Sequence, residues 1–395
     1  MTVLSQFGQD VRITGWGHTV FGKLTDRDLE SLIVEAATEA IVSAGIEPGD
    51  VDEIYLGQFN SSLLPLAFSS SLALQVDAAL RNVPATRVEN ACASGSGAVH
   101  AGIRSLLAGT ARNVLVIGAE KMTHATPEHV GSALLGADYE SAGNPSSVGF
   151  TGLFATVAQR YAERYGDIGD LLGAIAAKNH RNGVANPYAH LRKDLGEEFC
   201  RTVSDCNPIV AAPLRRTDCS PVSDGAAALV LSISPSAAAK NQPVRVTGFG
   251  QANDFHPAAR RDPTAFEATR ASVERAYAMA GIGVNELSLA EVHDCFTIAE
   301  LIMYEVIGLA EPGKGGEALT SGAVHRDGRL PVNLSGGLKA KGHPVGATGV
   351  SQHVVSAMQL SGAAGAMQFD GADRVLVQNM GGVGVANYAT ILEAV

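Results

Sequence analysis

The feature that most constrains the fold of this chain is an internal repeat. Residues 11–17 read VRITGWG, and VRVTGFG recurs at 244–250. Each copy alternates β-branched residues and ends in glycine, which is typical of a strand. A stretch with helical periodicity follows each copy, at 28–43 and 265–279, and both stretches run into Ala-Gly-Ile. This repetition predicts a molecule built from two related halves.

The two halves match again further along the chain. The segment CASGSG at 92–97 leads into a predicted helix of small residues, and HPVGATG at 343–349 leads into another. A predicted strand follows each helix, at 114–118 and 375–378. Alternating strands and helices predict an α/β fold with mixed sheets and right-handed crossovers.

A third segment separates the halves. Residues 121–222 break the strand and helix rhythm with stretches rich in Gly, Pro, Asn and Tyr. We therefore predict an N-terminal half at 1–120, completed by about 223–240, an inserted loop domain at 121–222 and a C-terminal half at 241–395.

Composition excludes several classes of function. The formal net charge of −11 offers no basic surface for nucleic acid. An uncharged run at 56–76 contains polar residues and a proline and is no membrane span. Five cysteines without a Cys-x-x-Cys pair predict neither disulfides nor a zinc site. The first ten residues lack a secretory pattern, so we expect a cytoplasmic protein.

Cys92 is a candidate nucleophile because it stands just before a predicted helix of small residues. Unpaired amides and the positive end of the helix dipole are expected to lower the pKa of a thiol at this place. The alternative is that Cys92 is a small core side chain, which is the usual role of buried cysteine.

His343 stands at the matching helix start of the other half. If the halves pack about a pseudo-twofold axis, the two helix starts converge and bring Cys92 and His343 together. A cysteine and a histidine in contact form a nucleophile and base pair. A histidine packed in the core is the alternative.

The segment at 291–296 reads EVHDCF, and its first three residues form a predicted short strand. It gathers His293, Asp294 and Cys295 at the strand end, where buried polar groups would be costly without partners. We therefore predict that this strand ends in a pocket.

Four segments, taken in this order, resemble the thiolase family, and within it the sterol carrier protein 2 type. They are ENACASGSG at 89–97, DCSPVSDGAA at 218–227, HDCF at 293–296 and NLSGGLKAKGHPVGATG at 333–349. The resemblance spans nearly the whole chain. It implies a thiolase-like fold, with two pseudo-twofold-related βαβαβαββ halves in a layered αβαβα core and an inserted loop domain.

The resemblance also implies an activity, the thiolytic cleavage of 3-ketoacyl-CoA to acetyl-CoA or propionyl-CoA and a shortened acyl-CoA, or the reverse Claisen condensation. It assigns Cys92 as the nucleophile, His343 as its base, and the backbone amides of Cys92 and Gly381 as the oxyanion hole. His293 and His343 would stabilise an enolate. Most thiolases carry an acid/base cysteine in a C-terminal Cys-x-Gly loop, which here begins with Asn379, so the resemblance gives that role to Cys295.

Coenzyme A enters this chemistry as a substrate, and the resemblance implies no metal or redox cofactor. It also implies that the loop domain docks CoA, with Lys178, Arg181, Arg215 and Arg216 as candidates for the phosphates. Members of the family are usually dimers or tetramers.

Two other functions compete with this interpretation. A decarboxylating ketoacyl synthase shares the two-half architecture, but it has no need of a second thiol such as Cys295. A thiolase-like subunit that works with a small acyl-CoA-binding partner, as in a retro-aldol lyase, tends to lose the nucleophile that Cys92 provides here.

Overall fold

The computed structural model describes residues 2–60 and 62–395. Its strands are β1 Arg12–His18, β2 Glu53–Gly57, β3 Ala85–Val88, β4 Asn113–Glu120, β5 Ile209–Ala211, β6 Leu214–Arg215, β7 Gly225–Ser232, β8 Val244–Asn253, β9 Leu289–Glu291, β10 Arg374–Gly381 and β11 Ala386–Glu393. Its helices are α1 Val3–Phe7, α2 Leu29–Ala44, α3 Ser94–Ala108, α4 Pro127–Leu135, α5 Gly149–Tyr165, α6 Gly169–Gly183, α7 Glu197–Arg201, α8 Glu267–Ala280, α9 Thr297–Val306, α10 Gly315–Thr320, α11 Gly337–Lys341 and α12 Thr348–Leu360.

The strand order repeats, as the sequence predicts. Within the described residues the main sheet runs β3-β2-β4-β7-β1-β8-β11-β10-β9. The first five strands form the sheet of the N-terminal half, and the last four repeat its order in reverse. Val332 bridges Ala290 in parallel beside β9, as β3 stands beside β2. The two sheets meet edge to edge where β1 pairs with β8.

Helices cover both faces of each half-sheet. Along β4, Leu115 packs with α2 on one face, and the next residue, Val116, packs with α3 and α12 on the other. Along β10, Val377 packs in the same cluster as α3 and α12, whereas Leu376 packs with α8 and α9. The central helices α3 and α12 thus lie between two sheets, each of which has an outer helical layer. This is the predicted αβαβα core.

Glycine allows the two central helices to touch at their first turns. A Cβ on Gly349 would lie 2.2 Å from the backbone nitrogen of Ser96, and one on Gly95 would lie 2.8 Å from the carbonyl oxygen of Gly346. Such distances require glycine at both crossing points. The contact brings the starts of α3 and α12 together.

Between β4 and β7 the chain leaves the main sheet. It forms the four helices α4 to α7 and the hairpin of β5 and β6 in the described part of this segment. Helices α5 and α6 pack against α9 of the C-terminal half. No helix among the described residues has both the length and the apolar character needed to cross a membrane.

Candidate active site

A cavity of about 770 Å³ opens at the place where the two central helices begin. Cys92, Cys295 and His343 lie in its wall. Most of the remaining wall comes from the segment between β4 and β7, and apolar side chains dominate near the thiols. These include Met122, Val130, Leu134, Phe150, Phe296 and Val345. The cavity therefore joins reactive side chains of both halves to an apolar wall.

Cys92 lies in a tight turn before α3. The preceding residue, Ala91, has a φ of 50°, which is rare for a residue with a side chain. Gly381 packs against this turn so closely that a Cβ there would lie 2.2 Å from the carbonyl oxygen of Asn90. The thiol itself is 6% exposed and packs with Phe59 and other apolar side chains.

Burial raises the pKa of the Cys92 thiol to about 12. The backbone N–H groups of Gly382 and of Cys92 itself hydrogen-bond the sulfur and oppose this rise, while the nearby Glu120 carboxylate adds to it. The expected lowering of this pKa is therefore wrong: loss of water outweighs the helix start. The resting nucleophile is a thiol, and it must give up its proton as it reacts.

His343 lies beside Cys92 and is held by one hydroxyl. Its Nδ1 is 2.6 Å from Thr348 Oγ1, and that hydroxyl donates its own proton to the carbonyl oxygen of Pro344. A threonine hydroxyl in a helix commonly donates to the carbonyl oxygen four residues back. With that bond to Pro344 made, Nδ1 donates to Thr348 Oγ1, which leaves a lone pair on Nε2. Burial, with a contribution from the charge of Lys341, lowers the pKa of His343 to about 3. His343 is thus a neutral imidazole with a free basic nitrogen.

His293 follows β9 and lies with its ring centroid 5.2 Å from that of His343, at nearly a right angle. Its Nδ1 is 2.9 Å from the side-chain nitrogen of Asn379. Nε2 is buried and has no hydrogen-bond partner in the described structure. Burial lowers the pKa of His293 well below its ordinary value. This histidine is also neutral.

Cys295 is buried, and burial raises the pKa of its thiol well above its ordinary value. The Ser220 N–H donates to the carbonyl oxygen of Cys295, which ties the HDCF segment to the segment at 218–227. The neighbouring Asp294 accepts backbone N–H groups of Leu338 and Lys339 at the start of α11. Asp294 therefore fixes the chain that leads to His343.

The same residues offer donors for a metal ion. One ligand atom each from Cys92, His293 and His343 lie within 4.8 Å of one another. A thiolate and two imidazoles are ligands that Zn²⁺ accepts. The repeat predicted the meeting of Cys92 and His343, but a set of three metal donors that includes His293 was not predicted.

The structure separates the four predicted phosphate ligands, and none lies in the cavity wall. Lys178 is buried with Nζ 2.7 Å from Glu300 Oε1, and Arg215 is buried with Nε 2.9 Å from Asp218 Oδ2. For these two the prediction is wrong, because both cations are committed to carboxylates inside the fold. Arg181 and Arg216 are on the surface.

Sequence analysis missed two supporting residues. Thr348 sets the tautomer of His343, and Asn379 donates both to His293 and to the carbonyl oxygen of Cys92. Thr348 lies within the motif at 333–349, so its place was visible but its contact was not. Asn379 was considered only as the residue that stands where the C-terminal loop of most thiolases has a cysteine.

Comparisons with known proteins agree on one family. The model for the thiolase N-terminal domain matches residues 11–234, and that for the thiolase C-terminal domain-like family matches residues 250–394. The chain is 37% identical over 381 residues to an acetyl-CoA acetyltransferase of Methanothermobacter thermautotrophicus, covering 95% of this chain and 97% of that protein. It is 29% identical to sterol carrier protein 2 of Oryctolagus cuniculus, covering 95% of this chain and 70% of that protein.

Solved structures agree on the fold. The structure described as the Ltp2-ChsH2(DUF35) aldolase superposes with a TM-score of 0.81 at 23% identity, covering 98% of each chain. Human mitochondrial 3-ketoacyl-CoA thiolase in complex with CoA superposes with a TM-score of 0.74 at 18% identity, covering 100% of this chain and 99% of that one.

Proposed function

This chain belongs to the thiolase family and is an acyl-CoA acyltransferase, and from that premise we propose that Cys92 carries the acyl group between two CoA thioesters. The observation that carries the assignment is the meeting of a buried thiol with a neutral imidazole whose Nε2 is free, within 4.8 Å. One group is ready to lose a proton and the other to accept it.

In the first half-reaction the Cys92 sulfur attacks the 3-keto carbon of a 3-ketoacyl-CoA. Its proton moves to His343 Nε2, and the carbonyl becomes an oxyanion held by the backbone N–H groups of Cys92 and Gly381, the pair that the family resemblance assigns. The Cα–Cβ bond then breaks, and its electron pair becomes the enolate of acetyl-CoA. Cys295 protonates that enolate, and the raised pKa of its thiol favours the protonated form that this step needs.

In the second half-reaction the Cys295 thiolate takes the proton of an incoming CoA thiol. The CoA thiolate attacks the acyl group on Cys92, and His343 returns its proton to the Cys92 sulfur. Each proton is thus restored, and the cycle consumes only CoA and the ketoacyl substrate. Run in reverse, the same steps form a carbon–carbon bond between two acyl-CoA molecules.

The composition of the cavity wall supports an acyl-CoA as its occupant. Its wall contains no lysine or arginine among the described residues. The neutral pantetheine arm and the acyl chain suit such a wall, whereas the phosphates of CoA require cations outside it. Arg181 and Arg216 remain the candidates for those phosphates on the loop domain at 121–222. An archaeal relative named acetyl-CoA acetyltransferase supports acetyl-CoA as one product.

Assembly and location are part of the same proposal. We expect a cytoplasmic homodimer or homotetramer, in which the exposed residues Phe68 and Leu66, two positions apart in the chain, would be buried against another copy. A solved neighbour whose description includes ChsH2(DUF35) supports testing for a small acyl-CoA-binding accessory subunit.

Mass spectrometry of the intact protein after brief exposure to a 3-ketoacyl-CoA tests the central proposal. We expect one added acyl group, mapped to Cys92 by peptide analysis, and its removal on addition of CoA. Cys92→Ala should carry no acyl group, whereas Cys206→Ser, at an exposed thiol, should behave as the native protein. An acyl group on any other residue would refute the assignment.

A further inference from the structure

Asn379 lies at the end of β10, with its side chain between the nucleophile and the second histidine. Its nitrogen Nδ2 is 3.2 Å from the carbonyl oxygen of Cys92 and 2.9 Å from His293 Nδ1. The side chain is fully buried, and its oxygen has no hydrogen-bond partner in the described structure. One amide group therefore touches both reactive residues.

The Cys92 carbonyl fixes which way this amide points. A carbonyl oxygen only accepts, so the side-chain atom facing it must be the NH₂ group of Asn379. The second N–H of that group then points at His293 Nδ1, which must accept and cannot carry a proton. A neutral imidazole with an unprotonated Nδ1 has its proton on Nε2.

We propose that Asn379 is a positioning residue that holds His293 as an Nε2–H donor, so that the two active-site histidines perform opposite tasks. This inference rests on the proposed function of the same site. His343 presents a lone pair and accepts the proton of Cys92. His293 presents an N–H and stabilises the negative oxygen that forms during reaction.

The same amide keeps His293 from acting as a metal ligand. A ligating imidazole nitrogen needs its lone pair, and its other N–H usually donates to a carboxylate or carbonyl. Asn379 presents a donor to Nδ1 instead, which opposes that arrangement. An isosteric acceptor at this position would release Nε2 to join Cys92 and His343 around a metal.

Zn²⁺ is the probe for this step. We expect zinc chloride to inhibit Asn379→Asp at a concentration about 10 to 100 times lower than it inhibits the native enzyme, the range typical of supporting groups around metals. Asn379→Leu has a similar branched shape but neither donor nor acceptor, and it should show no such gain. Equal zinc sensitivity of Asn379→Asp and the native enzyme would overturn the proposal.

A double-mutant cycle tests whether Asn379 acts through His293. Asn379→Leu should lower kcat by about 10 to 100 times in the native background, as loss of a supporting partner does, and by much less in His293→Asn. The same loss in both backgrounds would mean that Asn379 acts without His293 and would overturn the proposal.

The nitrogen NMR spectrum of histidine-labelled native protein is independent of turnover. We assign the His293 signals by their absence in His293→Asn, and expect a protonated Nε2 and an unprotonated Nδ1. A protonated Nδ1 would overturn the tautomer even if Cys92 carries the acyl group. Absence of acylation at Cys92 with the expected tautomer would instead refute the proposed function.

Discussion

Each half of the molecule places an equivalent pair of strands beside the central helices, but the two pairs carry different residues at the same position. In the N-terminal half, Gly57 of β2 lies opposite Gly118 of β4. Continuing the register of β9 and β10 by two residues brings His293 opposite Asn379, and those side chains are hydrogen-bonded.

The difference has a packing cause. A Cβ on Gly57 would lie 2.7 Å from the backbone of Gly95, and one on Gly118 would lie 2.6 Å from the carbonyl oxygen of Gly346. In the N-terminal half these two positions therefore lack side chains, so that α3 can approach at Gly57 and the loop after His343 can approach at Gly118. In the C-terminal half the same place holds the His293 and Asn379 pair. The N-terminal half therefore supports the site by close packing at this place, and the C-terminal half supplies polar side chains there.

Removing the base of the C-terminal half should have the largest effect on turnover. We expect His343→Ala to lower turnover by roughly 10² to 10⁴ times, as loss of a general base does. Because the pKa of His343 is about 3, the native base stays neutral as pH falls from 7 to 5, and protonation of His343 should cause no activity loss there. Steady-state thiolysis across this pH range checks both points, and native-like turnover in His343→Ala would remove it from the mechanism.

Two thiols that line the cavity besides Cys92 offer the next test. Cys295 and Cys219 both line the cavity, but only Cys295 has an assigned proton transfer. We expect Cys295→Ala to lower turnover by roughly 10² times or more, and Cys219→Ala to stay within a few-fold of native. Thiolysis rates decide, and similar effects of the two substitutions would mean that Cys295 has no special role.

Crowding the contact between the central helices should cost stability. A Cβ on Gly349 would lie 2.2 Å from a backbone nitrogen and 2.5 Å from Asn379 Oδ1. We expect Gly349→Ala to lower the free energy of unfolding by about 1 to 3 kcal/mol, as overpacking does. Gly49→Ala, where the nearest atom would be at 3.8 Å, is the matched control in urea unfolding. Equal stability of both variants would show that the helices can separate without cost.

The smallest expected effect concerns pH and stability. His100 of α3 and His353 of α12 share the hydroxyl of Thr390, and burial lowers the pKa of His353 to about 4. The unfolded chain binds a proton at the ordinary value of about 6.5 while the folded chain does not, so stability falls as pH drops from 6.5 to 4.

The free energy of unfolding of the native protein should fall when the pH is lowered from 7 to 5. For His353→Gln we expect this fall to be smaller by about 2 kcal/mol. His124→Gln, at an exposed histidine, should lose as much as the native protein. Urea unfolding at the two pH values measures the difference, and parallel losses in all three proteins would contradict a neutral buried His353.

The failed predictions share a cause. Cys92 stands at a helix start as expected, yet burial raises the pKa of its thiol. Lys178 and Arg215 were chosen for their charge, yet both are ion-paired inside the protein. In each case the type of residue was visible in the sequence, but its exposure to water and its partners depend on distant segments of the chain.

The sequence by itself determined the two-half α/β architecture, because strand and helix periodicity and the glycines that permit close packing are local properties that the repeat displays twice. It also determined the reactive residue types, Cys92, His293, Cys295 and His343. Only the tertiary structure decided which nitrogen of each histidine carries the proton. That choice depends on Thr348 and Asn379, whose hydrogen bonds form only when helices and strands from both halves meet.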